Sequence, residues 1–366
     1  MRVLFITQVV DRADNNLGAI HGWIEALASQ VDQLHVLALN TGVVDLPSNV
    51  MVHSMGKNRG NGKLRQLKIF YSVAGRLALR RQIDVFFPHM VPRYAMLVAP
   101  LRALTGIPTV MWYAHNSGDI KLKAANLVVD RFVSASRDSF PLGTAKCQSV
   151  GMGVDTALFR PAPSSSVNLP RGKTRFLTMG RISPRKEVDT LISAADLVVN
   201  QWGLREVEFI AAGAPLAASD HEYYDRLKDR VAELHLGSFV RFTGGIPHSE
   251  AVHLLQDCEY FVNMHVEGGL GKAVLEAMSC GKPALVSTPS YYSQFPDYGK
   301  LFLFDPRDAV SLGQRIRSAL ELSDGERKQI GNDLRQWVVQ EHDVRRQMAR
   351  IVEVLHTTRG IQFAQS

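Results

Sequence analysis

Residues 266–283 read VEGGLGKAVLEAMSCGKP, with Glu267, Gly268, Gly269, Gly271 and Lys272 ahead of Glu276. Glycines let a ligand approach the backbone, and the open N–H groups at a helix start point at negative charge. Glu276, about one turn into the helix that begins at Lys272, is placed to accept hydrogen bonds from hydroxyls of the same ligand. A diphosphate carrying a sugar or ribose suits such a site; a plain strand-to-helix connection has the same composition. A second group is GRISPRKEVDTLISA, residues 180–194, where Arg181 and Lys186 flank a turn between a strand and a helix. Arginine offers a planar fork and lysine a point charge, so the pair reads as a phosphate clamp or as a solvated basic turn. His115, in WYAHNSG, stands at the end of a short apolar run and reads as a site residue or a satisfied loop histidine.

The elements that must carry these groups alternate. Strands are expected at 2–7, 34–39, 50–53, 85–87 and 109–113, and helices at 18–29, 63–81 and 93–105. Between 159 and 173 the composition turns to RPAPSSSVNLPRG, which reads as a linker. The pattern restarts with strands at 175–179, 207–212, 239–242, 260–263, 284–287 and 301–304. Helices are expected at 188–202, 221–234, 250–256, 309–322, 324–340 and 344–357. Such alternation predicts α/β architecture, with two doubly wound Rossmann-like domains facing each other across a cleft and ligands beyond the carboxyl ends of the strands. The expected boundaries are 1–160 for an N-terminal domain, joined by the C-terminal helix of about 344–366, 161–173 for the linker and 174–343 for a C-terminal domain.

Composition narrows the classes. At 366 residues and 46% apolar, two ordinary cores can be buried. The three cysteines lie far apart, without metal or redox spacing, as expected of buried thiols in a reducing compartment. The start, MRVLFITQVVDR, reads as a first strand and not as a signal peptide. No apolar run is long enough to span a bilayer. Residues 1–160 carry 18 Lys and Arg against 10 Asp and Glu, whereas 161–366 carry 24 against 25, so the basic excess belongs to the N-terminal half. Much of it lies in 57–81, which has eight cations, Lys57, Arg59, Lys63, Arg65 and Lys68 among them, and no acid. With Leu64, Leu67, Tyr71, Ala74 and Leu77 at helical spacing, this segment predicts a helix docked by an apolar face. Its basic face is either merely solvated or a patch for anionic lipid or a phosphorylated acceptor. Nucleic acid is not expected, because no aromatic platform accompanies the charge.

GRISPRKEVDTLISA followed some eighty residues on by EGGLGKAVLEAMSCGKP resembles the donor-binding half of retaining glycosyltransferases of the GT-B fold, family four of that classification. LGAIHGWIEALA, IDVFFPHM, VDRFVSASRDSF and VGMGVDTALFRP are similar to further family segments, so the resemblance extends over nearly the whole chain. It implies that Arg181 and Lys186 bind the donor diphosphate and that Glu276 holds the nucleotide ribose. It implies that the backbone of Gly268, Gly269, Leu270, Gly271 and Lys272 meets sugar hydroxyls and phosphates. His115 would face the donor sugar, and Gly18 would lie near the phosphates. His115, Arg181, Lys186 and Glu267 are the implied catalytic groups. The sequence departs from the family in four places, one being Met152 where asparagine usually precedes the glycine of VGMGVD. Glu267 and Glu276 are nine positions apart instead of eight, Leu17 replaces the first glycine of a pair, and Glu187 stands where glycine is usual.

The resulting expectation is a retaining hexosyltransferase of polysaccharide or cell-envelope biosynthesis. It moves a sugar from a nucleoside-diphosphate donor, UDP-sugar favoured, to a lipid-linked or cell-surface glycan. Neither cofactor nor metal is expected, since no Asp-x-Asp occurs and the two cations can do a metal's work. The enzyme is placed in the cytoplasm or peripherally at the inner face of the membrane. A nucleotide-sugar epimerase or hydrolase, or a silent nucleotide-sugar binder on the same scaffold, are the alternatives.

Overall fold

The stretch RVLFITQVV alternates its burial. Val3 and Phe5 pack with one core cluster, whereas Leu4 and Ile6 pack with another, as in a strand covered on both faces. This strand, β1 (Arg2–Val10), is central in a computed structural model that describes residues 1–14, 19–115, 118–137, 139–162, 172–265 and 270–363. The chain divides into two compact units. The first comprises Met1–Gly153, Pro247–Ser249 and Val344–Ser366; the second comprises Val154–Ile246 and Glu250–Asp343.

In the first unit β1 pairs in parallel with β2 (Gln33–Thr41) and β4 (Val85–Pro88), and β2 pairs with β3 (Val50–Ser54). Single bridges from Phe86 to Thr109 and from His89 to Trp112 join β4 to β5 (Val110–Trp112). The parallel run continues through β6 (Arg131–Ser134) and β7 (Cys147–Ser149). Helices α1 (Ala19–Ala28), α2 (Lys63–Leu79), α3 (Pro92–Thr105) and α4 (Ile120–Val128) make the crossovers. The last helix, α12 (Val344–Phe363), returns to this unit and buries Val344, Met348, Ile351 and Leu355 against α1 and the strand face of Val3 and Phe5.

The second unit has the strand order β10-β9-β8-β11-β12, again all parallel. Its strands are β8 (Thr174–Met179), β9 (Val207–Ala212), β10 (Val240–Gly244), β11 (Tyr260–Asn263) and β12 (Ala284–Val286). Phe176 stacks between Phe209 and Tyr260 at 5.5 and 5.2 Å, locking the three central strands by aromatic contact. The helices are α5 (Val188–Asp196), α6 (Ala218–Glu233), α7 (His248–Asp257), α8 (Lys272–Ser279), α9 (Pro296–Phe302), α10 (Ala309–Glu321) and α11 (Asp324–Glu341).

Four readings need correction. Residues 301–304, expected as a strand, close α9 instead, because Pro296 and Asp297 start a helix there and only Leu303 bridges to Val286. The helix expected over 188–202 stops being regular at Asp196 and runs through a π-turn at Leu197–Gln201. Strands β6 and β7 and helix α4 lie in a stretch where no element was expected. On α2 the expected apolar face meets the core only over its second half, through Ala74 and Leu77. Phe70, Val73, Ala74, Leu77 and Ala78 are buried, whereas Leu64, Leu67 and Tyr71 are 85%, 39% and 36% exposed.

Among the described residues no helix is long and apolar enough to cross a membrane. Burial pushes the Cys258 and Cys280 thiols up to about 12, out of the reactive range. Ile351 is fully buried in the first unit's core. Ile351→Ala is therefore expected to cost about 2–5 kcal/mol. Urea unfolding of the variant against the parent chain measures it.

Candidate functional site

The second unit gathers its polar groups where β8, β9 and β11 end. Gly180, just past β8, has φ 141, and a Cβ on Gly213 would lie 1.8 Å from the Gly180 carbonyl oxygen. Two glycines are thus required for the ends of β8 and β9 to close on each other. Beyond Gly180 a short turn at Pro184–Lys186 leads into α5. A small cleft here is lined by Thr178, Gly180, Arg181, Lys186, Ala212 and Asn263. Arg181 and Lys186, five residues apart in sequence, come together in it.

The electrostatics are one-sided. The Lys186 ammonium is half-buried and held below the ordinary lysine range, first by burial and then by the positive charges of Arg181 and Arg185. It has neither hydrogen bond nor ion pair among the described residues. Arg181 is partly exposed, and its Nε lies 3.8 Å from the buried carboxylate of Asp220. Asp220 is fixed in turn by accepting from the Ala217 N–H at 3.1 Å. One cation is anchored and its neighbour is left uncompensated, which is what an anion site requires.

Glu187 explains its own departure from glycine. It sits in the left-handed region at φ 51, which costs a side-chain-bearing residue roughly 1–2 kcal/mol. Its Oε1 accepts from Arg307 Nε at 2.7 Å, an ion pair that opposes that cost.

The chain just after β11 meets the basic turn through His265. Its Nδ1 lies 2.8 Å from the Arg185 carbonyl oxygen and acts as an N–H donor there. Val266, Glu267, Gly268 and Gly269, together with Asn15, Asn16, Leu17 and Gly18, lie outside the described residues, so the expectations for Glu267, Gly18, Gly268 and Gly269 have no structural counterpart. Leu270 and Gly271 precede α8, with Gly271 as its N-cap. The expectation of an open amide at Gly271 is corrected, because its N–H donates to the buried Tyr291 hydroxyl. Glu276 is 3% exposed, with Lys272 Nζ 3.9 Å from its Oε1. The Lys272 ammonium is lowered mainly by burial, against the pull of Glu276 and Asp155. Neither Lys272 nor Glu276 is among the described residues lining the cleft.

His115 follows β5 in the first unit and is exposed. Lys57 and Arg59 lie on a 3-10 turn and Lys63, Arg65 and Lys68 in the first turns of α2, all exposed. Among the described residues no three His, Cys, Asp or Glu side chains could hold a metal ion. Sequence reasoning missed Asp220, Tyr291, Asn263 and His265. An Asp three residues after the start of a helical run was a weak signal for Asp220, and nothing local marked Tyr291.

Residues 160–337 match the family model described as Glycosyl transferases group 1. D-inositol 3-phosphate glycosyltransferase of Kineococcus radiotolerans is 31% identical over 158 residues, 41% of this chain and 36% of that protein. Mannosylfructose-phosphate synthase of Agrobacterium fabrum is 25% identical over 44% of this chain and 37% of its own. The chain thus spans little more than a third of the length of these curated relatives. Among solved structures, Anabaena Alr3699/HepE in complex with UDP and glucose superposes with a TM-score of 0.74 at 19% identity, covering 97% of this chain and 99% of that one. Sucrose-phosphate synthase of Thermosynechococcus elongatus superposes at 0.75 and 16% identity, covering 99% and 100%.

The cleft predicts binding of inorganic pyrophosphate in a thermal-shift titration. Arg181→Ala and Lys186→Ala are each expected to weaken it by about tenfold, one lost charge-assisted contact being worth about 1.5–3 kcal/mol. Because the free Lys186 ammonium titrates below the ordinary lysine value of 10.5, affinity is full below that lowered pKa. It is expected to fall as pH rises through it, and Lys186→Arg should flatten the profile.

Proposed function

We propose that this chain, whose residues 160–337 match the Glycosyl transferases group 1 model and whose GT-B type α/β fold has two Rossmann-like units, transfers a hexose from a nucleoside-diphosphate sugar to an acceptor. UDP-sugar is the favoured donor, supported by the fold shared with a protein solved with UDP and glucose. One observation carries the reading: an uncompensated lysine beside an anchored arginine at the carboxyl end of β8.

Breaking the bond between the anomeric carbon and the diphosphate leaves positive charge on the sugar and negative charge on the departing nucleotide. Arg181 and Lys186 meet that negative charge with cations already fixed in place, so no reorganisation is spent at the moment of reaction. They take the part a divalent metal plays elsewhere. The His265 contact ties the chain just after β11 to the basic turn, and Tyr291 fixes the Gly271 backbone at the start of α8. Glu276 serves the ribose hydroxyls, with Lys272 exchanging its partner on donor binding. His115, Glu267, Gly268 and Gly269 are assigned to the donor sugar on the resemblance of their motifs alone.

The transfer retains configuration. The acceptor hydroxyl attacks from the face the nucleotide leaves, and the leaving phosphate takes the proton. The acceptor, a lipid-linked or cell-surface glycan, belongs to the first unit, whose basic segment rests on an anionic membrane surface.

Turnover is tested with UDP-, GDP- and ADP-sugars and a panel of lipid-linked acceptors. Arg181→Ala and Lys186→Ala are expected to lower kcat by about a hundred- to a thousandfold each. Glu276→Ala should lower it with folding intact. Wild-type turnover in all three variants would refute the proposal. Rapid loss of the sugar without acceptor would instead assign a hydrolase or epimerase, and Tyr291→Phe should raise the donor KM while leaving the melting temperature nearly unchanged.

A further inference from the structure

Three carboxylates border the basic turn, and each is bound by a group other than Lys186. Asp220, on α6, accepts from the Ala217 N–H at 3.1 Å and faces Arg181 Nε at 3.8 Å. Glu187, which caps α5, pairs with Arg307 Nε at 2.7 Å. Asp189, in the first turn of α5, accepts from the Tyr223 hydroxyl at 2.5 Å, and its own N–H donates back to that oxygen at 3.2 Å. The third contact has no part in the site as described so far.

Tyr223 lies on α6 three residues beyond Asp220, on the same face of that helix. Helix α6 therefore grips the segment 181–189 at both ends, by a carboxylate at Arg181 and by a hydroxyl at Asp189. Tyr223 is 7% exposed, and the Arg226 guanidinium stands 5.8 Å from its ring centre. Burial, and then the hydrogen bond to Asp189, push its phenol above the usual tyrosine range. The hydroxyl keeps its proton at neutral pH and stays a donor to the carboxylate. Tyr223 is not among the described residues lining the cleft.

The contact governs where a negative charge lies. Asp189 stands three residues after Lys186, on an exposed helix start, near enough in the chain for a released carboxylate to turn back toward the ammonium. An ammonium without a partner attracts any carboxylate that can reach it, and the pair is then closed to a ligand anion. The charges bearing on Lys186 are nevertheless those of Arg181 and Arg185, and the Asp189 carboxylate, turned toward α6, is not among them.

We propose that Tyr223 is a positioning residue of the anion site: its hydroxyl holds the Asp189 carboxylate against α6 and so keeps Lys186 uncompensated for a ligand diphosphate. That this diphosphate belongs to a nucleotide sugar rests on the transfer reading above; the exclusion of Asp189 from Lys186 does not.

The test is isothermal titration of the full chain with inorganic pyrophosphate across pH, with the melting temperature as a control on folding. Tyr223→Phe deletes one hydroxyl and keeps the ring. It is expected to weaken pyrophosphate about tenfold at neutral pH, because Asp189 then competes for Lys186. Adding Asp189→Asn to Tyr223→Phe should return the affinity to near that of the parent, a recovery that a merely structural tyrosine would not show. Lys186 binds anions while charged, so the parent's affinity falls as pH rises through its lowered pKa. A carboxylate beside an ammonium favours the charged form, so in Tyr223→Phe that fall should move to higher pH, and in the double variant it should move back. Asp189→Glu asks the same question with Tyr223 intact, since one more methylene carries the carboxylate past the hydroxyl. It too should weaken pyrophosphate, and it decides the matter if Tyr223→Phe does not fold. Unchanged affinity in Tyr223→Phe or in Asp189→Glu, a loss that Asp189→Asn does not recover, or a pH limb that stays in place would overturn the proposal. Nucleotide-sugar turnover in the same samples separates the two readings. The full pattern in pyrophosphate binding without any turnover would sink the transfer reading alone. Parent turnover matched by Tyr223→Phe across pH would sink this inference alone.

Discussion

A lysine ammonium that burial and two arginines both oppose is the constraint on which the second unit turns. Holding Lys186 charged where it stands costs free energy, and the described protein supplies no anion to offset it. The arrangement persists because the surrounding structure over-determines it. Gly180 and Gly213 bring two strand ends into contact, Glu187 accepts a left-handed backbone and ties itself to Arg307, and His265 grips the Arg185 carbonyl. Each of these adds little alone. Together they hold a turn whose purpose lies in a negative charge that arrives from outside.

The anchoring of Arg181 by Asp220 deepens this picture. A carboxylate 3.8 Å away orients the guanidinium without forming a close bidentate pair, so its donors stay available. Lys186 has no such partner and keeps a point charge for a ligand oxygen. Fixed direction from one residue and undischarged potential from the other are complementary demands, and a carboxylate on α6 that reaches Arg181 but not Lys186 meets both.

How much of this was legible follows from what each signal measures. Alternation of apolar runs reveals parallel sheets because every strand must be buried on two faces, and β1, β2 and β8 obeyed it. It failed at 301–304, where Pro296 set a helix going whose end mimics a short strand. On α2 it was half right, because Ala74 and Leu77 of the expected stripe reach the core whereas Leu64, Leu67 and Tyr71, nearer the helix start, do not. The basic turn was legible because its cations are close in sequence. Tyr291 was not, since its hydroxyl reaches Gly271 across twenty residues by tertiary packing alone. Glu187 read as an anomaly until its partner Arg307, distant in sequence, came into view.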